Sequence, residues 1–379
     1  MSGPADLFAA QRADLARLAS RSRLRALSPR AGVDFASNDY LGLAESPELA
    51  AAAAEALARG VPLGSGGSRL LRGNHPEHEA LESEAAAFFG AEAALFLPTG
   101  YTANSALFAT LPRAGDLIVA DALIHASMHE GLRLTRAAHV FFAHNNAQAC
   151  AEAIATWRNE GGTGRVWIAA ESLYSMDGDT APLADLQTVA RAHDAILIVD
   201  EAHATGIAGP GGRGLIAATG PRDPNTITLH TLGKGLGCEG ALLTGPAILR
   251  ESLINRARGF IFSTAPSPLI AAVARTALRI SAAADDRRAA LNARIAAARA
   301  ALEPLGAQSH DTPIMPLILG ADARAMAIAA RLQAAGFDVR GIRPPTVPLG
   351  TSRLRIVITL NAGVEDILDL AATLQQALA

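Results

Sequence analysis

Lys234 is the residue whose chemistry other residues in this sequence could least easily replace. It is the only lysine among 379 residues, and the other 32 of the 33 lysine and arginine residues are arginine. Arginine supplies positive charge, but only a lysine amine loses its proton near neutral pH when it is desolvated. Glycines at 233 and 235 let the backbone bring this amine close to a planar group. We therefore predict a Schiff-base amine at Lys234, with chance retention of one lysine as the alternative.

A carboxylate and a histidine follow a neighbouring apolar run. Residues 195–206, AILIVDEAHATG, contain an apolar stretch that ends in Asp200, and His203 comes three residues later. A buried carboxylate is costly unless it meets a cation or a hydrogen-bond donor. A protonated pyridine nitrogen is a suitable partner for Asp200, and His203 is then placed to bond an oxygen of the same ring. An aspartate that only caps the next turn is the alternative.

A third segment has the character of a phosphate site. In LPTGYTAN (97–104) a predicted strand runs into Gly100 and Tyr101 at the start of a predicted helix. Backbone N–H groups at a helix start have no partner within the helix and can bind phosphate. A simple helix cap at Thr99 explains the same letters equally well.

A histidine follows a fourth apolar run. In DALIHASMHEGL (121–132) His125 comes just after a predicted strand, where its ring could stack on an aromatic cofactor. A lone histidine at such a place is more often structural. His125 and His129 are four residues apart but lack the glutamate of a zinc-protease motif, so we predict no metal site.

Two glycine-rich strings suggest nucleotide binding, and we reject both. Lys234 is followed by glycine rather than by the serine or threonine of a phosphate-binding Walker loop. GPGGRG (209–214) matches a dinucleotide-binding string but neither directly follows a predicted strand nor opens an obvious helix. A nicotinamide-dependent oxidoreductase would rest on this second string alone.

The four segments together supply what pyridoxal 5'-phosphate requires from a protein. They offer a phosphate cradle, a group that stacks on the ring, an anion for the pyridine nitrogen and a Schiff-base amine. Ligands of open α/β sheets lie outside the carboxyl ends of the strands, where all four segments are predicted to lie. The sequence therefore predicts a pyridoxal-phosphate enzyme.

The predicted elements suit an α/β fold. Apolar runs are found at 93–98, 117–121, 139–143, 166–170, 195–200, 226–230 and 240–245. They are apolar almost throughout, as expected for strands that are covered on both faces, and predicted helices such as 76–90 and 181–194 lie between them. This alternation favours a mainly parallel central sheet with helices on both faces.

The ends of the chain differ from this middle part. An amphipathic helix is predicted from the first residues to about residue 30, and one long helix at 269–303 precedes a helix–strand pattern. We expect an N-terminal helix and arm at 1–44, a large cofactor-binding domain at 45–268 and a small α+β domain at 269–379.

Composition excludes several classes of protein. A formal net charge of -3 argues against nucleic acid and against an acidic membrane surface as main partners. Two cysteines make no disulfide framework, and neither a signal peptide nor a membrane span is predicted. We predict a cytoplasmic protein.

The sequence resembles the α-oxoamine synthases, which are fold-type I pyridoxal-phosphate enzymes. The matching segments run from about residue 35 to 360 and include SNDYLGL, GYTAN, DALIHAS, YSMDGD, VDEAHATG, TLGKGLG, FSTAP, RPPTVP and SRLRI. The resemblance implies condensation of an amino acid with an acyl thioester and loss of carbon dioxide. It also implies a homodimer with sites at the interface, where residues 262–266 would approach the partner's phosphate.

The resemblance also implies roles for individual residues. Lys234, His125 and Asp200 would be catalytic. The cofactor would be held by Gly100, Tyr101, His125, Ser175, Asp200, His203, Thr231 and Lys234. Arg21, Thr346 and Arg355 would contact substrate, and Arg355 would bind the amino-acid carboxylate through a two-pronged contact.

The substrates implied by the resemblance depend on the last motifs. RPPTVP followed by SRLRI favours the member of the family that uses L-alanine and a pimeloyl thioester, carried by coenzyme A or a carrier protein, in biotin biosynthesis. The rivals are a member that uses glycine and acetyl-CoA, and a non-catalytic subunit with the same fold. Retention of Lys234, Asp200 and His203 argues against the non-catalytic subunit.

Overall fold

The computed structural model describes residues 6–379, in two compact units. The larger unit contains Asn38–Ser175 and Asp179–Leu291. The smaller unit contains residues up to Ser37, the short stretch Met176–Gly178 and the segment Asn292–Ala379. The smaller unit therefore joins both ends of the chain.

The elements alternate along the chain. The α-helices are α1 Ala9–Ser20, α2 Pro47–Ala58, α3 Pro76–Phe89, α4 Gly100–Thr110, α5 Ala126–Leu134, α6 Ala147–Asn159, α7 Leu183–Ala192, α8 Ala247–Arg256, α9 Arg258–Ile261, α10 Pro268–Ala282, α11 Asp285–Leu302, α12 Asp322–Ala334 and α13 Val364–Leu378. The strands are β1 Val33–Asp34, β2 Ala93–Leu97, β3 Leu117–Asp121, β4 Ala138–Phe142, β5 Val166–Glu171, β6 Ile196–Asp200, β7 Thr226–Thr231, β8 Ala241–Gly245, β9 Ile314–Gly320, β10 Phe337–Asp338, β11 Arg340–Ile342 and β12 Ser352–Val357.

A seven-stranded sheet forms the centre of the larger unit. Its strand order is β2-β8-β7-β6-β5-β3-β4. The run from β7 to β4 is parallel, whereas β8 is antiparallel to both β7 and β2. The seven strands predicted from apolar runs are all present, and the predicted mainly parallel sheet is confirmed.

Apolar side chains cover both faces of this sheet. On β3, Leu117 and Val119 lie in the cluster that packs against α6 and α7, whereas Ile118 lies in the cluster with α4 and α5. Successive residues of a strand point to opposite faces, so a strand that is buried on both faces is apolar throughout. The prediction of two-sided burial is wrong for β4, whose first four residues are exposed, because β4 is the edge strand of the sheet.

Helices α4 and α5 pack very closely because of a glycine. A Cβ atom at Gly131 on α5 would lie 2.6 Å from Cβ of Phe108 and 3.2 Å from the carbonyl oxygen of Asn104, both on α4. Any side chain at position 131 would push the two helices apart. The glycine thus allows the two helices that carry Asn104 and Ser127 to meet.

Two predicted helices end earlier than expected. Residues 1–5 lie outside the described residues, and α1 ends at Ser20 instead of continuing to about residue 30. Ser22 has a left-handed φ of 56°, and the N–H of Arg23 donates back to the carbonyl of Leu18, which is a typical helix end.

The long helix predicted at 269–303 is also wrong, because α10 and α11 are separate. The Arg288 guanidinium donates to the carbonyl oxygen of Ser281 at 2.7 Å, which satisfies an acceptor at the end of α10. Asp285 and Asp286 then begin α11 with negative charge, as a helix start favours.

The smaller unit contains its own antiparallel sheet of order β11-β12-β9, and β1 pairs with β10. Helices α12 and α13 belong to the same unit. Within the described part of the chain, no helix combines the length and the apolarity needed to cross a membrane.

Candidate active site

The carboxyl ends of three parallel strands bring the predicted cofactor residues together. Strands β5, β6 and β7 end in Glu171, Asp200 and Thr231, and Glu171 is the register partner of Asp200. Helix α4 begins at Gly100 beside this edge, because a Cβ atom there would lie 4.0 Å from Oγ1 of Thr231. The predicted phosphate, ring and amine positions therefore share one edge of the sheet.

Lys234 lies in a chain of hydrogen bonds. Its Nζ atom is 2.7 Å from Nε2 of His203, and Nδ1 of His203 is 2.6 Å from the hydroxyl of Tyr40. The Tyr40 side chain is fully buried and donates to Oδ1 of Asn38 at 3.2 Å. Tyr40 was not predicted as a site residue, although it belongs to the SNDYLGL motif.

The glycine after Lys234 has a steric reason. A Cβ atom at Gly235 would lie 2.5 Å from the carbonyl oxygen of Thr205. Real side chains do not tolerate that separation. Gly235 therefore lets the lysine loop pass directly over the turn that carries His203.

Asp200 is buried and held by neutral donors. One carboxylate oxygen accepts from Nδ2 of Asn104 at 2.8 Å, and the other accepts from the N–H of Ala202 at 2.9 Å. Its side chain lies at the end of β6, as the sequence predicted. These two hydrogen bonds orient the carboxylate through neutral groups.

Glu171 is a second buried carboxyl group that the sequence analysis missed. Burial, and then the nearby charge of Asp200, raise the pKa of Glu171 well above its usual value. Its Oε2 atom accepts from the backbone N–H of Ser175 at 3.3 Å, which places Ser175 beside the same edge. The sequence did contain an indication of this residue, because the charged Glu171 directly follows the apolar run 166–170.

His125 caps helix α5 at the end of β3. Its Nδ1 atom accepts from the N–H of Ser127 at 3.2 Å and lies 2.8 Å from the Ser127 hydroxyl. The side chain is exposed at its surface, yet surrounding atoms desolvate the ring and lower its pKa. The charge of Asp200 opposes this lowering, and the charge of Lys234 adds to it.

The phosphate end combines a helix start with small side chains. Thr99 caps α4 by accepting from the N–H of Thr102, and the Tyr101 side chain is 50% exposed. The hydroxyl of Thr231 donates to the carbonyl of Gly240 at 3.3 Å and lies 3.4 Å from the N–H of Gly233. An anion at this helix start would meet N–H and O–H donors.

The glycine string 209–214 is structural. It forms a loop with one turn of 3-10 helix at Pro210–Gly212, followed by a second such turn at Leu215–Ala218. The buried carboxylate of Glu201 accepts from the N–H groups of Leu215 and Ile216. Burial raises the pKa of Glu201 to about 7, although its hydrogen bonds oppose the increase. The prediction that this string is only a loop is confirmed.

A second histidine, His144, lies near the same edge of the sheet and contacts two carboxylates. Nδ1 of His144 is 2.8 Å from Asp121, and its Nε2 is 2.7 Å from Asp179. Burial lowers the pKa of His144, but the hydrogen bonds and charges of the two aspartates outweigh burial and raise it to about 10. We call His144, Asp121 and Asp179 the His144 cluster.

The predicted substrate residues belong to the smaller unit. Arg21 follows α1 and is exposed, Thr346 is exposed with its Oγ1 3.4 Å from Nη2 of Arg25, and Arg355 is buried on β12. A cavity of about 380 Å³ is bordered by Arg25, Arg343 and Thr346. The neighbouring Arg23 is instead paired with Asp322 at 2.6 Å.

The donor set of the larger unit suits pyridoxal 5'-phosphate. Lys234 supplies a primary amine, Asp200 an oriented anion, and the start of α4 an anion site beside Thr231. The absence of a Cβ atom at Gly100 keeps the start of α4 open next to Thr231. These residues would hold the amine-bound carbon, the pyridine nitrogen and the phosphate respectively.

Comparisons with known proteins agree with this assignment. An 8-amino-7-oxononanoate synthase from Anaeromyxobacter dehalogenans is 44% identical over 332 residues, 87% of this chain and 82% of that protein. A solved serine palmitoyltransferase from S. paucimobilis, with bound PLP–myriocin, has a TM-score of 0.89 at 27% identity and covers 98% of both chains. An 8-amino-7-oxononanoate synthase structure from Francisella tularensis has a TM-score of 0.75 at 26% identity, over 92% of this chain and 98% of that one.

The family follows from the extent of these matches. The profile of the family described as aminotransferase class I and II matches residues 30–369. The seven-stranded sheet and the lysine, aspartate and helix start at its carboxyl edge are those expected for fold type I. The chain therefore belongs to the aminotransferase class I and II family, with the fold-type I architecture and the pyridoxal-phosphate cofactor of that family.

Proposed function

We propose that the protein condenses L-alanine with a pimeloyl thioester, releases carbon dioxide and forms 8-amino-7-oxononanoate for biotin biosynthesis. The observation that carries this proposal is the position of the sole lysine, 2.7 Å from His203. The 44% identity to a synthase that bears this name supports the choice of substrates. The thiol carrier, coenzyme A or a carrier protein, leaves when the new carbon–carbon bond forms.

The residues of this chain divide the work. When bound, the cofactor supplies an electron sink for the bond changes at the alanine α-carbon. Lys234 would anchor the cofactor, and its neutral amine would remove the α-proton of the bound alanine. Asp200 would hold a proton on the pyridine nitrogen. His203 and Ser175 are assigned to the ring oxygen.

Substrate binding is assigned to four residues by resemblance. Arg355 would pair with the amino-acid carboxylate, and His125 would face the reacting carbon. Thr346 would contact substrate, and Arg21 is the candidate for the distal carboxylate of the pimeloyl group. The exposed Thr346 and the arginine-bordered cavity beside it support an anionic substrate.

Serine palmitoyl transfer is the second candidate. The serine palmitoyltransferase structure has a higher TM-score, 0.89, than the synthase structure, 0.75. The sequence identity of 44% to the curated synthase exceeds the 27% to that transferase. We favour the synthase because residue identity, more than backbone similarity, determines which substrate a pocket accepts.

The test is a matched substrate panel. PLP-loaded protein is offered L-alanine, glycine and L-serine, each with pimeloyl-, acetyl- and palmitoyl-CoA, and products are identified by mass spectrometry. We expect 8-amino-7-oxononanoate as the main product. Alanine should be preferred to glycine by about 10–200-fold, the value of one methyl group in a fitted pocket. A preference for glycine with acetyl-CoA, or for serine with palmitoyl-CoA, would overturn the proposal.

The cofactor lysine is tested separately. Borohydride reduction and peptide mapping should place the pyridoxyl group on residue 234. Lys234→Arg should abolish turnover and leave the fold intact, because the charge remains but a usable neutral amine does not. Labelling of another segment would contradict the assignment.

We also propose a homodimer in the cytoplasm. Phe262, Leu63 and Leu71 are large apolar side chains that are at least 70% exposed in the single chain. Such exposure is costly unless another surface covers it. Analytical ultracentrifugation of the PLP-loaded protein should give twice the chain mass of 39.0 kDa, and a monomer at micromolar concentration would refute the dimer.

A further inference from the structure

A buried asparagine links the carboxylate assigned to the pyridine nitrogen with the serine that contacts His125. Nδ2 of Asn104 donates to Oδ2 of Asp200 at 2.8 Å and to Oγ of Ser127 at 2.9 Å. Asn104 and Ser127 are each only 1% exposed. Water therefore does not replace these bonds, and each hydrogen in the group must point at a protein acceptor.

The carboxylate fixes the direction of every bond in this group. An ionised Asp200 can only accept, so the amide of Asn104 must present its NH₂ end to it. The same NH₂ group offers its second hydrogen to Ser127. Oδ1 of Asn104 has no hydrogen-bond partner among residues 6–379. The oxygen lacks a partner because the amide is oriented so that its two hydrogens bond Asp200 and Ser127.

The direction of the bond from Asn104 to Ser127 also determines the direction of the bond between Ser127 and His125. Because Oγ of Ser127 accepts from Asn104, its own hydrogen is available for Nδ1 of His125, 2.8 Å away. The backbone N–H of Ser127 approaches the same Nδ1 atom at 3.2 Å. Two donors converge on Nδ1, so this nitrogen must present a lone pair. The single hydrogen of the neutral ring must then be on Nε2.

We propose that Asn104 and Ser127 are positioning residues that hold His125 as the neutral Nε2–H tautomer and join it to Asp200. The exposed ring presents this N–H bond as a donor. In the reaction it would donate to a carbonyl or carboxylate oxygen of the substrate, and it would not act as a base through Nε2. This role rests on the proposed function, whereas the tautomer does not.

The tautomer is tested by NMR on the PLP-loaded protein. Deuterated protein with ¹⁵N-histidine gives long-range correlations that distinguish a protonated from an unprotonated ring nitrogen, and His125→Gln identifies the His125 signals. We expect an unprotonated Nδ1 and a protonated Nε2. A protonated Nδ1 in the wild-type protein would overturn the proposal, whatever reaction the protein catalyses.

Matched variants test the two positioning residues. Ser127→Ala should give a detectable fraction of the Nδ1–H tautomer, and Ser127→Thr should restore the wild-type signals because it keeps the hydroxyl. Ser105→Ala is the control, since Oγ of Ser105 reaches only the backbone carbonyl of Ser127, at 3.5 Å. An unchanged spectrum in Ser127→Ala would refute the role of the serine.

A kinetic measurement tests the link to Asp200. Asn104→Ala should lower kcat on the order of tenfold or more, the effect of losing a hydrogen bond to a charged group, with a smaller change in KM for the amino acid. It should also weaken PLP binding to the apoprotein, which is measured by fluorescence without turnover. Wild-type kcat and wild-type PLP affinity together would contradict the link. A protein that fails the substrate panel but has the expected tautomer would refute only the proposed function.

Discussion

Two histidines lie at the carboxyl edge of the same sheet, and the contacts of one require a neutral ring whereas those of the other require a protonated ring. His125 follows β3 and meets a hydroxyl and a backbone N–H at its Nδ1 atom. His144 follows β4 and meets a carboxylate at each ring nitrogen. A neutral imidazole has one hydrogen, so two carboxylates require the protonated ring, whereas two donors on one nitrogen require the neutral ring.

The difference between the two histidines indicates that one region of this edge serves the reaction and the other serves the stability of the fold. Each ring nitrogen of His144 faces a carboxylate of its own, so the cation of the His144 cluster already has its partners within the fold. The group that contains His125, Ser127, Asn104 and Asp200 ends in an anion held only by neutral donors. A protonated pyridine nitrogen would supply the cationic partner that these donors do not.

The largest expected effect comes from removing this anion. Asp200→Asn should lower kcat on the order of 10²-fold or more, with a smaller change in amino-acid binding, because a buried charge pair with the cofactor is lost. Stopped-flow and steady-state kinetics measure both quantities. Asp179→Asn is the matched control in the His144 cluster and should leave kcat close to wild type. Equal losses in the two variants would show that the two regions are not functionally distinct.

A smaller effect is expected on stability when the charged histidine is removed. His144→Gln leaves the buried Asp121 without its cation, and since the His144 side chain is 25% exposed we expect a loss of about 1–2 kcal/mol rather than the 3–5 kcal/mol of a fully buried pair. The folded pKa of about 10 lies above the unfolded value of 6.5. The stabilisation is therefore complete below pH 6.5 and is lost as the pH rises through 10.

Denaturant unfolding at several pH values measures this effect. The difference between wild type and His144→Gln should be largest near pH 6 and should shrink towards pH 10, with turnover at pH 7 little changed. A difference that does not depend on pH would show that His144 is not protonated in the folded protein.

The smallest effect concerns a third histidine, His203, whose Nδ1 atom faces a phenol. Tyr40→Phe removes the hydroxyl 2.6 Å from this nitrogen and should lower kcat by about fivefold, the effect of one hydrogen bond of about 1 kcal/mol. Kinetics with a thermal melt separates this loss from unfolding. A loss as large as that of Asp200→Asn would place Tyr40 among the residues that act on the cofactor directly.

Most of the sheet could be predicted because its strands are buried on both faces. Continuous apolar runs marked all seven strands. Polar residues at or soon after the ends of two runs marked Asp200 and His203, and its being the only lysine marked Lys234. The exception, β4, has the same apolar letters, but its position at the edge leaves it exposed. The order of strands in a sheet depends on contacts between distant segments, which local patterns do not contain.

The missed residues share a physical cause. Asn104 and Tyr40 belong to quoted motifs, yet their importance comes from hydrogen bonds across 96 and 163 residues of sequence. Glu171 is the last residue of β5, and nothing in the local sequence indicates a role for its carboxyl group. The roles assigned to Arg21, Thr346 and Arg355 stay predictions, because they rest mainly on the resemblance.

The close approach of α4 and α5 makes a glycine remote from the chemistry an evolutionary constraint. A methyl group at Gly131 would overlap Phe108 and press on the backbone of Asn104. A lineage that gained a side chain there would have to move the two helices apart, because nearly every residue at position 108 keeps the Cβ atom that would be overlapped. The Asn104 amide would then lose its reach to Ser127. Position 131 should therefore stay glycine among descendants of this sequence, although it touches no substrate in the proposed reaction.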